Sequence, residues 1–128
     1  MNETFTYNSN MHFEHKQWKG ELTIWNEELV FFNNRINELV KRGANKNVLV
    51  KLEHYQNAFI LHLTIMGIMH EDIDGHELQI ATQNKENINA LDCHMMKKHG
   101  DFRHKFEKQR QVYSNLKKSF FRFIERYM

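Results

Sequence analysis

Apolar residues recur along this chain in alternating steps of four and three, the spacing that keeps one side of a helix turned toward partner helices. The first run passes from Met11 through His15, Trp18, Leu22, Trp25, Leu29, Phe32, Ile36 and Leu39. A second takes in Val48, Leu52, Tyr55, Phe59, His62, Met66, Met69, Ile73, His76 and Ile80. A third continues with Ile88, Asp92, Met95, His99, Phe102, Phe106, Gln109, Tyr113, Leu116, Phe120, Phe123 and Tyr127. Each run is a seven-residue seam, narrower than the broad apolar face of an ordinary surface helix.

The breaks between runs carry turn chemistry. Asn10 suits an N-cap, and Arg42-Gly43 reads as a helix C-terminus followed by the turn Gly43–Asn47. The polar stretch Gln83–Asn87 is the next break. The pattern predicts an all-α fold: an antiparallel up-down-up bundle of three long helices with coiled-coil-like heptad seams. The helices are expected over about residues 10–42, 47–83 and 88–127 of a single domain spanning 1–128. An alternative parse into four shorter helices would break at Asp72–Gly75 and at Gly100-Asp101. The heptad register runs through both places without resetting, which favours three. Gly20, Gly67, Gly75 and Gly100 all miss the seam and fall on outer surfaces.

Composition agrees with a helical chain: proline is absent and glycine is scarce. The formal charge of +2 conceals a division. Residues 1–96 hold 13 acidic against 8 basic side chains, and residues 97–128 hold 3 against 10. The expectation is a basic third helix packed beside two acidic ones, with flanking charges paired between helices. The basic-aromatic motifs of nucleic-acid modules are missing, so a nucleic-acid partner is not expected. Cys93 is the lone cysteine and suits a reducing compartment. No basic segment followed by an apolar run opens the sequence, and no stretch approaches membrane-spanning length, so a soluble cytoplasmic protein is expected.

Three histidines interrupt the seams where leucine would be ordinary. Setting Leu39 opposite Val48 puts His15, Ile73 and His99 in one layer and Met11, His76 and Met95 in the next. A buried imidazole without partners costs roughly 1–3 kcal/mol, so such a cluster calls for hydrogen bonds, a proton or a metal. The metal reading assigns His15, His76 and His99 as ligands from three helices to one zinc, iron or copper ion. Asp72, one turn before His76, would be a fourth ligand or an orienting group. His12, Glu77 and Asp92 would stand behind the ligands, and Met11 and Met95 nearby would suit copper(I).

Other patterns lead elsewhere. His62, beside Trp25 and near Gln109, reads as a hydrogen-bonded core histidine, and His54, His70, His94 and His104 leave the seam. The Glu-x-x-His pair of ferritin-like di-iron proteins and the His-x-x-x-Glu and His-x-x-x-His pairs of hemerythrin-like bundles do not occur. No catalytic residue is assigned, and a non-enzymatic metal-binding protein is the expectation. The competing reading is an interaction module that self-associates or receives a partner helix. Phe13, Phe31, Phe121 and Tyr7 would then form an extra apolar surface, and the histidine layer would set register or respond to pH.

Overall fold

Turn chemistry and seam together produce three helices. The computed structural model describes residues 3–86 and 93–127, with side chains over 10–82 and 94–127. Helix α1 spans Glu3–Lys41, α2 spans Lys46–Glu86 and α3 spans Cys93–Tyr127. Gly43 takes φ = 79°, the left-handed conformation that ends a helix and disfavours other residues, and its N–H donates to the Val40 carbonyl at 3.2 Å. Asn45 then caps α2: its Oδ1 accepts from the Val48 N–H at 3.0 Å.

The bundle is up-down-up, with α1 and α3 parallel and α2 antiparallel between them in chain order. Among the described residues there is no strand, and no helix is long and apolar enough to cross a membrane. Helices of 39, 41 and 35 residues extend about 50–60 Å at 1.5 Å per residue. Both breaks of the four-helix parse lie inside continuous helix. Gly75 and Gly100 each sit where an added Cβ would meet nothing within 4 Å, so neither marks a turn or a close approach.

The start of α1 differs from the expectation. Helix begins at Glu3 and passes through Asn10, since nothing between them breaks a helix and an interior asparagine costs under about 1 kcal/mol. Ile88 and the expected start of the third helix lie outside the described residues, as do the side chains of Tyr7 and Cys93.

Burial follows the seam. On α1, Met11, His15, Trp18, Leu22, Trp25, Leu29, Phe32 and Ile36 are all buried. Fully burying each large apolar side chain contributes about 1.5–3 kcal/mol. The centre is aromatic: Trp18 stacks on Phe106 with ring centres 5.4 Å apart, and Trp25 stacks on the same ring at 5.3 Å. Phe32, Phe59 and Phe120 close a second cluster, with Phe59 set edge-on to Phe120 at 5.0 Å. His62 is buried, and its Nδ1 accepts from Gln109 Nε2 at 2.6 Å.

Flanking charges lock α1 to α3. Glu14 pairs with Arg103, Glu21 with Arg110 and Glu28 with Lys117, each with a 2.9 Å contact. Both sets advance by seven residues, so the three bridges form one ladder beside the seam. Partly exposed pairs of this kind contribute about 0–1 kcal/mol each. Their main effect is on orientation and register, because an antiparallel or slipped α3 would break all three.

Axial register is where the structure departs from the expected layers. Phe32 faces Phe59, and His15 faces His76. Relative to Leu39 opposite Val48, α2 has moved along α1 by about four residues, one helical turn. Met11 and Met95 consequently share their layer with Ile80, and His76 joins His15 and His99. A whole-turn slip leaves the same face inward, so the apolar pattern alone does not oppose it.

Candidate metal centre

Three helices each deliver one imidazole to a single level of the core. His15, His76 and His99 are all buried, and one potential ligand nitrogen from each lies within 4.8 Å of the others. The ring centres are 5.1 Å apart for His15–His76, 4.9 Å for His15–His99 and 5.5 Å for His76–His99. Trp18 covers one side, stacked on His99 at 5.1 Å. Ile73 is buried in the apolar core, and Ile80 in the layer of Met11 and Met95.

Carboxylates engage two of the rings from behind. A carboxylate only accepts, so it fixes which ring nitrogen carries the proton. Glu77 accepts from His15 Nδ1, leaving His15 Nε2 with its lone pair. Glu14 accepts from His99 Nε2 at 2.8 Å, leaving His99 Nδ1. Among the described residues that Nδ1 is buried without a hydrogen-bond partner, and so is His76 Nε2. Carboxylate–imidazole pairs of this kind orient metal-binding histidines and raise their basicity.

The electrostatics favour the ionised carboxylates and disfavour a proton on His76 and His99. Arg103 holds the Glu14 carboxyl at about 2, against the opposing effect of burial and with help from His99. Burial would raise Glu77, but hydrogen bonds from His15 and His12 outweigh it and bring it below its usual range. His76 is lowered to about 4, first by burial and then by repulsion from His15 and His99. Burial also lowers His99, although Glu14 pulls the other way.

These shifts make acid sensitivity an expected property of the metal-free protein. The unfolded chain protonates its copy of His76 near 6.5, whereas the folded chain waits until about 4. Between those values the unfolded state binds more protons, so stability is complete above about pH 6.5 and falls as pH drops. His76 alone accounts for about 3 kcal/mol of loss at 1.36 kcal/mol per pH unit. Glu14 and Glu77, held low, add further loss below about 4.5. Urea unfolding of chelator-treated protein should give a clearly lower midpoint near pH 4.5 than near pH 7.5. Equal midpoints would contradict the proposed protonation states.

The expected site residues fall into distinct places. His15, His76 and His99 converge. Glu77 touches His15, and it also accepts from the exposed His12 at 2.9 Å. Asp72 is exposed and lines a cavity of about 480 Å³ that reaches His15 and His76. Asp92 lies outside the described residues. Glu14 and Arg103 were not anticipated. Their signal was the seven-residue recurrence of Glu14, Glu21 and Glu28 against Arg103, Arg110 and Lys117, which marks facing flanks of two parallel helices.

The donor set matches a borderline metal. Three neutral imidazoles suit zinc, iron or copper, and bonds of about 2.0–2.1 Å need nitrogens about 3.4 Å apart. Met11 and Met95 pack with Ile80 in the adjoining apolar layer. Known proteins add no further constraint, because the chain matches no family model, no curated protein and no solved structure.

Proposed function

We propose that this protein is a non-enzymatic helical bundle that binds one transition-metal ion, zinc, iron or copper, through His15, His76 and His99. The observation that carries the reading is that two rings of this buried group, His76 and His99, each have a buried nitrogen, Nε2 and Nδ1, with no hydrogen-bond partner among the described residues. A polar layer kept only for register would be expected to satisfy its own hydrogen bonds. Glu77 and Glu14 would act as orienting carboxylates behind His15 and His99. Asp72 lines the wall of the adjoining cavity, outside the group of three imidazoles. A reducing, cytoplasmic setting is part of the same reading.

Elemental analysis after dialysis against zinc should find close to one ion per chain. Replacing Glu77 or Glu14 by Gln should weaken binding by about 10–100-fold without removing it. Undiminished affinity in both variants, by competition with a chelating dye, would count against the orienting role. Absence of retained metal in the wild type would remove the reading.

The interaction reading has one observation in its favour. Phe13 and Phe31 on α1 are 61% and 66% exposed, and Phe121 on α3 is 45% exposed. A self-associating rod would have a mass above 15.6 kDa by light scattering. A monomer at high concentration would leave these aromatics as isolated surface groups.

A further inference from the structure

The cavity beside the imidazoles opens directly onto the ligand group. It lies between α2 and α3, measures about 480 Å³, and has His15 and His76 among its lining residues. That volume falls within the range of small-molecule sites. Lys97, Lys98 and Lys105 from α3 and Glu71, Asp72 and Asp101 line it, so the fixed charges of its walls balance. The charge at its floor would not. A divalent ion on three neutral imidazoles carries its full charge, and Glu14 is already neutralised by Arg103. Glu77 is then the one contacting carboxylate with no Lys or Arg partner among the described residues. A partly buried net positive charge favours a further anion.

Tetrahedral coordination by three protein ligands also leaves one position for water or another ligand, as catalytic metal sites do and structural ones do not. We propose that an ion held by His15, His76 and His99 directs its fourth position into this cavity and binds there a small carboxylate or comparable monoanion from solution. This rests on the metal-binding reading and goes beyond it: the site is a receptor for an anionic ligand, in addition to being a cross-link between helices. Asp72 then belongs to the wall and does not coordinate.

Gly75 provides a plug. It lines the cavity on α2, and a Cβ added there meets nothing within 4 Å, so a substitution there starts without a clash beside the space to be filled. The test uses the full chain loaded with cobalt(II), whose visible bands report both uptake and changes of ligand. Titration with sodium azide should shift the bands saturably, with one azide per cobalt, and acetate should compete. Gly75→Phe should take up cobalt normally but bind azide at least about tenfold more weakly, with Gly75→Leu intermediate. Circular dichroism confirms that both variants keep their helix content.

Cobalt uptake with bands unmoved by azide would overturn the proposal and leave the metal reading intact. So would equal azide binding in wild type and Gly75→Phe. A response that emerges only in Asp72→Ala would also overturn it, by assigning the fourth position to Asp72. Failure to take up cobalt would overturn both readings.

Discussion

Zinc is expected to raise the melting temperature of the chelator-treated protein by roughly 15 °C when free metal reaches a thousand times its dissociation constant. The size follows from linkage. A ligand that binds the folded state alone stabilises it by about 4 kcal/mol at that ratio, and a domain of this length gains roughly 4 °C per kcal/mol. The unfolded chain cannot compete strongly, because the three ligands come from three helices and their nearest sequence separation is 23 residues, between His76 and His99. The double variant His15→Ala/His99→Ala should show no shift. It removes both carboxylate-backed ligands and leaves His76 alone. Scanning calorimetry on the two proteins, each with and without zinc, decides the matter. An equal shift in both would transfer the effect to surface groups such as His70 and Asp74, which are 3.3 Å apart.

His76→Leu is expected to stabilise the metal-free protein by about 1–3 kcal/mol while abolishing its response to metal. His76 is 4% exposed, its Nε2 has no partner among the described residues, and burial holds the ring neutral down to about pH 4. Folding therefore takes a polar nitrogen out of water and returns nothing for it. Leucine is of similar size, extends the apolar character of neighbouring Ile73 and Ile80, and has no nitrogen to desolvate. The same substitution should flatten the part of the acid sensitivity that His76 carries. Denaturant unfolding at neutral pH, with chelator present, measures the gain. A loss of stability would mean that His76 makes interactions favourable enough to offset its desolvation, and that the layer is structural in its own right. Gain of stability with loss of metal binding is the signature of a residue kept for a ligand.

The metal-free acid sensitivity and the metal effect meet at the same atoms. Each ligand nitrogen that accepts a proton is lost to the ion, so metal binding should weaken as pH falls. Glu14 remains ionised through that range, because Arg103 holds it at about 2. His76 therefore takes its proton before Glu14 does.

The inward face of every helix could be read from residue spacing. Alternating steps of four and three name Trp18, Leu22, Leu29, Phe59 and Phe106 as core, and all are buried. The same spacing carries His15, His76 and His99 inside, and Gly43 with Asn45 marks the first turn. Helix ends were less legible. Asn10 resembles a cap, but an asparagine within a helix costs too little to stop it when nothing upstream breaks the chain.

The meeting of the imidazoles required the assembled bundle. A slip of one turn exchanges one apolar layer for the next and keeps the same face buried, so burial energy barely separates the alternatives. What separates them acts between residues far apart in the chain: Phe32 packed on Phe59, the hydrogen bond from His15 to Glu77, and the one from Gln109 to His62. Local spacing determines which side of a helix leaves water, because that preference accumulates residue by residue along one segment. Contacts between segments determine how far each helix slides, and through that slide which three histidines share a level.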